Sequence, residues 1–555
     1  MKQTMKKCLT LLLALALLFT MAVPAAAATP YDKTITFIDV AQGDTVKAYQ
    51  VMKYDANYNA YIFDTGFEKA IGQYKPANTT FDKYFAGIDE EILKDLMVYY
   101  SAHTAGGSLA GHDALTFPTA YAEKTAGTDG TVSMTLEPGY YLFLVATKAE
   151  NDKIYQPVTA FVQVKNEKVS VYAAGTEITG TPNVAFKSTT GPVIKMQVKD
   201  DSLTTPAWKD TAAGKVGEEM DFYIQVTAPA YKGKATLTTL DLEDTLAGLE
   251  YVTGSVGVYK TQDIAAASAV ADAVTVDAGA YTAGSQKVTF KLKYDKVCDV
   301  NGAVSVYVHY KAVVKAEAAV KDAVTSGSAV LKYATSVEPT KTKTTAATTA
   351  TVYTYAFSLA KTSDEDIEGS AGKKPLTNAG FTLYSDNAMK TPVSMIKETV
   401  GGETYYRPAL AGETDIVTEM AANMGTDQNT LLVRGLDATT YYLKETKVPS
   451  GYYAPKGGFE VKLTGERDVN VLNGKLAAAS SFTAQNTVDG ALVGTATVNA
   501  NLLDASLKNS STPVLPTTGG VGTVMFTVIG LLCMGAALWF FLFARRRRKD
   551  EQEQG

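Results

Sequence analysis

The sequence predicts an all-β chain of three tandem Ig-like β-sandwich modules, preceded by an N-terminal signal peptide and followed by a C-terminal transmembrane helix. Three observations carry this expectation. The 555 residues amount to three or four domains at roughly 150 residues each. Between the ends, short segments rich in Val, Thr, Tyr and Phe alternate in polarity and are broken by Gly, Pro, Asn and Asp, the pattern of strands joined by turns. The two ends are instead unbroken apolar runs.

Composition narrows the function classes. An apolar content of 46% excludes wholesale disorder, and 18 Pro with 44 Gly excludes a collagen-like repeat. A net charge of -6 leaves no dominant basic surface, so no nucleic-acid partner is expected. Cys8 and Cys533 fall in the terminal apolar segments, leaving Cys298 alone in the body, which rules out a disulfide framework. His103, His112 and His309 are too few and too scattered for a multi-histidine metal centre. P-loop, Rossmann and zinc spacings are all missing, so neither cofactor nor metal is expected.

At the front, Lys2, Lys6 and Lys7 precede an apolar stretch from Leu9 to Val23, and Ala25 to Ala28 offer small-residue cleavage positions. This is the layout of a secretory signal peptide over residues 1–28. At the back, Val521 to Ala544 is an uncharged run long enough to cross a bilayer. Arg545 to Arg548 and Lys549 follow at once, which keeps the C-terminus cytoplasmic. Hydropathy alone leaves open a plain type I membrane anchor. The pentapeptide before the span, Leu515-Pro516-Thr517-Thr518-Gly519, resembles the LPXTG sorting signal of Gram-positive surface proteins, with the apolar helix and arginine cluster in the expected order. The resemblance implies that sortase cuts between Thr518 and Gly519, its thiolate attacking the Thr518 carbonyl and an amine resolving the thioester. Residues Asn509 to Pro516 read as an extended Ser/Thr/Pro stretch suited to an enzyme groove.

In the body, strand-like segments include 34–40, 131–146, 158–172, 220–228, 287–294, 303–314 and 352–359, with one helical pattern at Ala86 to Ser101. Two polar stretches, Thr340 to Thr351 and Thr176 to Pro192, suggest boundaries; the former reads as a linker or a plain strand. The expected modules span 29–187, 188–350 and 351–508, with a sorting segment at 509–555.

The third module contains four blocks in order: Tyr355-Ala-Phe-Ser-Leu-Ala-Lys361, Pro375-Leu-Thr-Asn-Ala-Gly-Phe381-Thr-Leu-Tyr384, Tyr441-Tyr-Leu-Lys-Glu445 continuing to Tyr452, and Phe482-Thr-Ala-Gln-Asn486. These resemble the B-type repeat of bacterial collagen adhesins, a domain common in Gram-positive pilins. The resemblance implies an intramolecular isopeptide bond between Lys361 and Asn486, assisted by the acid Glu445. Burial lowers a lysine pKa and raises a glutamate pKa, which frees the amine to attack and gives the acid a proton to relay. The competing reading of Lys361 and Glu445 is an ordinary surface ion pair.

The second module is similar to the other pilin sandwich type at Val216 to Ile224 and Leu242 to Leu249. That similarity implies Lys195 as amine and Asp244 as acid. Ser328 occupies the expected acceptor place in Gly327-Ser328-Ala-Val-Leu-Lys-Tyr333, and a hydroxyl offers no carboxamide to attack. Neither Lys199 nor Asn301 supplies the missing member. Ahead of this module, Ala185-Phe186-Lys187-Ser188 stands where shaft pilins carry the lysine that sortase joins to the threonine of the next subunit. Lys187 is the intersubunit candidate; a solvated loop charge is the other reading.

Gly106-Gly107-Ser108-Leu109-Ala110-Gly111-His112-Asp113 gathers Ser, His and Asp but fails the G-X-S-X-G elbow. Asp200-Asp201 and Asp364-Glu365-Asp366 lack EF-hand order. The expectation is therefore a non-enzymatic major pilin, displayed on a cell-wall-anchored fimbria. Its partners would be identical subunits in a covalent homopolymer, pilin-type and housekeeping sortases, tip and base minor pilins, and peptidoglycan. The alternative is a monomeric wall-anchored adhesin that binds a host or neighbour-cell ligand.

Overall fold

A computed structural model describes residues 31–57, 59–64, 119–173, 176–229, 239–297, 304–320, 325–335, 341–469, 471–487, 489–512 and 521–550. The signal peptide, the helical pattern at 86–101, the Gly106–Asp113 segment and the pentapeptide Leu515–Gly519 lie outside them. Strands dominate, as alternating apolar and polar residues dictate. The chain divides into two compact units, Met1–Tyr353 and Thr354–Gly555.

The first unit holds two sandwiches in series. In the first, Lys33–Ile38 lies between Asn183–Ala185 and Val132–Leu136 in a three-stranded sheet, opposite a seven-stranded sheet centred on Gly139–Ala146 and Thr45–Asp55. The two sheets share a core that includes Ile35, Phe37, Met134, Tyr141, Phe143, Val162 and Phe186. The polar stretch after residue 175 is therefore no free connection. Its short strands Thr176–Ile178, Asn183–Ala185 and Ser188–Thr190 are each paired into a sheet.

The second sandwich pairs a six-stranded sheet built on Val193–Asp200, Glu219–Ala228 and Val304–Val314 with a seven-stranded sheet built on Leu240–Ala247, Ser285–Leu292, Ser326–Ala334 and Thr348–Tyr353. The Thr-rich stretch resolves in favour of strand: Thr342–Thr344 and Thr348–Tyr353 both pair with Ser326–Ala334. β-Branched threonine suits a half-buried pleated surface, which is why this low-complexity run is ordered.

In the second unit, Tyr355–Asp366 is a central strand of a seven-stranded sheet, flanked by Thr430–Leu436 and, in parallel, by Leu502–Asn509. The facing sheet has the order Glu419–Ala422, Ala379–Tyr384, Thr440–Lys447, Phe459–Lys462, Ser481–Ala484. Phe357 of the first sheet and Phe482 of the second meet with ring centroids 5.6 Å apart. The last helix, Val521–Asp550, contains an apolar window from Phe526 to Arg546 with mean hydropathy 2.3, long enough to cross a membrane.

Candidate crosslink site in the second unit

Period-two alternation decides which side chains of Tyr355–Asp366 point inward. Phe357, Leu359, Lys361 and Ser363 are all buried on one face. Lys361 thus replaces a core apolar residue and is fully buried. Its backbone is clamped by Asn429: the Lys361 amide donates to Asn429 O at 2.9 Å, and Asn429 Nδ2 donates to Lys361 O at 2.9 Å. The parallel neighbour Leu502–Asn509 follows the same rule, with Leu503, Ala505, Leu507 and Asn509 turned inward. Register brings Lys361 opposite Leu507 and Ser363 opposite Asn509. Glu445 arrives from the facing sheet, where Tyr441, Leu443 and Glu445 are the inward residues of Thr440–Lys447.

The three groups meet in the buried interior. Lys361 Nζ lies 2.5 Å from Asn509 Oδ1 and 3.3 Å from Leu507 O. Asn509 Nδ2 donates to Glu445 Oε1 at 2.9 Å, while Glu445 Oε2 stands 3.9 Å from Lys361 Nζ. Burial pushes the lysine pKa down, partly opposed by the Glu445 charge. It pushes the Glu445 pKa up, opposed by Lys361 and by the Asn509 hydrogen bond. An amine whose hold on its proton is weakened, an acid whose hold on one is strengthened and a carboxamide between them make an arrangement for acyl transfer.

The sequence expectation for the carboxamide is corrected here. Asn486 is exposed, just beyond the edge strand Ser481–Ala484 of the facing sheet, so Lys361 meets Asn509 in its place. The Phe482–Asn486 block is not the last strand of the module. The chain goes on through Val493–Asn499 to Leu502–Asn509, which returns to the sheet that carries Lys361. The closing strand runs one residue past the expected boundary at 508. The signal was present in the alternation Leu503, Ala505, Leu507, Asn509, which ends in a polar residue at an inward position.

The second sandwich places its candidates apart. Lys195 is exposed and sits opposite Gln225 on the outer face, and the inward neighbour is Met196. Ser328 likewise faces away from the core opposite Thr245, with Gly327 and Ala329 buried on either side of it. Asp244 is fully buried and accepts from Tyr310 Oη at 2.5 Å. Burial raises its pKa to about 6, against the lowering effect of the Tyr310 hydrogen bond and of backbone hydrogen bonds at Ser328 and Thr245.

Lys187 is exposed between two anchored neighbours. Phe186 is buried against Phe37 and Tyr155, at centroid distances of 5.5 and 6.0 Å. The Phe186 amide donates to Ile38 O at 3.3 Å, and Lys187 O accepts from Gln156 N at 2.9 Å. The side chain projects from a backbone held on both sides.

Comparison with known proteins finds family matches in two segments. Residues 361–475 match the family model described as SpaA, a prealbumin-like fold domain, and residues 507–551 match the LPXTG cell wall anchor motif. The chain is therefore an LPXTG-anchored cell-wall surface protein, and its second unit carries a SpaA-type module. Among solved structures, the T6 backbone pilin of serotype M6 Streptococcus pyogenes aligns at 16% identity and TM-score 0.45, covering 88% of this chain and 100% of that one. The full-length major pilin SpaD from Corynebacterium diphtheriae aligns at 18% identity and TM-score 0.42, covering 86% and 97%. The major pilin SpaA of the same organism aligns at 14% identity and TM-score 0.40, covering 86% and 100%. No curated protein matches the chain in sequence.

Proposed function

We propose that the protein is a structural pilus subunit, joined covalently to copies of itself by sortase and locked internally by an isopeptide bond between Lys361 and Asn509. The observation that carries the internal bond is the buried contact of 2.5 Å between Lys361 Nζ and Asn509 Oδ1, with Glu445 against both partners. The chemistry follows from the arrangement. Glu445 takes a proton from the lysine through Oε2, and the freed amine attacks Asn509 Cγ. The carboxamide nitrogen already touches Glu445 Oε1, so the same acid protonates it as it departs and then takes the second proton from the new amide nitrogen. One C–N bond forms, one breaks, and ammonia leaves. The reaction occurs once per molecule, so this is self-modification and not turnover.

Polymerisation rests on the LPXTG signal and on the projecting Lys187. Sortase would acylate itself on Thr518 and hand the acyl group to Lys187 of the next subunit; tip and base subunits and final transfer to peptidoglycan complete the assembly. The test is electrophoresis of boiled, detergent-treated wall extracts. A ladder of high-mass species that disappears with Lys187→Ala is expected. A single copy in the wild type would leave the monomeric adhesin as the better description, and an unchanged ladder in the variant would move the acceptor elsewhere.

A further inference from the structure

In the second sandwich, three residues converge between the sheets where a crosslink of the kind just described would form. Met196 points inward from Val193–Asp200, Asp244 from Leu240–Ala247, and Gly327 lies on Ser326–Ala334 beside Asp244. A Cβ built on Gly327 would run into Met196 Cε and lie 3.4 Å from Asp244 Oδ1. The Met196 methyl thus ends where the last carbon of a lysine would, and Gly327 holds the position from which an asparagine side chain would reach it. Asp244 provides the acid. The amine and the carboxamide are both missing, and thioether and hydrogen fill their places.

We infer that the second sandwich is not covalently closed and is the extensible element of the subunit. This deepens the pilus reading and rests on it for the direction of force. Force entering at Lys187 and leaving at Thr518 bypasses the first sandwich. In the second unit it passes from Tyr355–Asp366 through the Lys361–Asn509 amide into the chain after Asn509, so residues between the two are not stretched. Between Val193 and Tyr353 the described residues hold no such shortcut. There the force is borne by strand pairing, such as that of Val193–Asp200 with Glu219–Ala228, whose hydrogen bonds contribute only about 1 kcal/mol each. The second sandwich therefore opens under load and refolds when load is removed.

The test uses single molecules of the exported chain, held at a Lys187→Cys handle and at the C-terminal end of the body. One unfolding event of about 50 nm is expected, from roughly 160 residues at about 3.5 Å each, with refolding on relaxation. Met196→Lys combined with Gly327→Asn should abolish that event and release one further ammonia, and adding Asp244→Ala should restore the wild-type mass. Peptide mapping of the unaltered protein decides the matter even if the double variant does not fold. A crosslinked peptide joining residues 193–200 to 326–334 would overturn the inference, and so would a body that gives no event of that length. Neither readout needs polymerisation, so a missing ladder would refute the pilus reading while leaving the extensibility result to stand or fall separately.

Discussion

Replacing Asn509 by Ala, with Asn486→Ala as its control, separates two readings of the same module. If the amide joins Lys361 to Asn509, it closes a loop with a sequence separation of 148 residues. A covalent link across a loop of that length removes unfolded-state entropy equivalent to about 5 kcal/mol at 25 °C in the chain-entropy model. For a module of this size, that corresponds to a drop in melting temperature of about 10–20 °C when the link is lost. Asn509→Ala also leaves Lys361 Nζ, fully buried, with Leu507 O at 3.3 Å and Glu445 Oε2 at 3.9 Å, which adds the cost of an under-solvated amine. Intact-mass measurement and calorimetry of the purified exported body check both consequences. The unaltered protein should weigh one ammonia less than its sequence, Asn509→Ala should weigh its full sequence mass and melt lower, and Asn486→Ala should behave as the unaltered protein does. Retention of the mass deficit in Asn509→Ala, or its loss in Asn486→Ala, would refute the assignment.

Further predictions follow from the same geometry. Glu445→Gln preserves the side chain's shape but removes its proton relay, so the body should keep its full sequence mass; an unchanged mass deficit would exclude Glu445 as the assisting acid. Asp244 titrates near 6 in the folded protein because burial disfavours its charge, whereas an unfolded aspartate titrates near 3.9. The stabilising contribution of the protonated form is thus complete below about 3.9 and is lost as pH rises through 6, a change of about 3 kcal/mol. Asp244→Asn should flatten the pH dependence of the second sandwich's melting over that window and raise its melting temperature at pH 8. Arg407 is buried, with Nε 2.6 Å from Glu398 Oε2 and Nη2 2.6 Å from Glu413 Oε1. Arg407→Ala should destabilise the second unit by about 2–3 kcal/mol, below the full cost of breaking a buried pair because both glutamates keep partial access to water; denaturant titration measures it. Phe186→Ala should cost the first sandwich about 3 kcal/mol and weaken the high-mass ladder by loosening the backbone that presents Lys187, readable on the same gels.

What could be read directly from the chain were features that depend on local order. Signal peptide, apolar span, arginine cluster and pentapeptide are contiguous words, and the all-β class follows from short alternating segments. Lys361 and Glu445 were also legible, because each sits inside a contiguous block that resembles part of the collagen-adhesin B-type repeat. What only tertiary structure decided was the partner of each. Side chains alternate faces residue by residue, so Lys195 and Ser328, each adjacent to the inward position, lie on the wrong side of their strands, and Met196 and Gly327 take the interior. Asn509 was hidden for another reason: its strand pairs in parallel with one nearly 150 residues earlier, and nothing in the local sequence of either strand specifies so distant a neighbour. Burial of the charged groups, and with it their chemistry, exists only once the two sheets have closed over them.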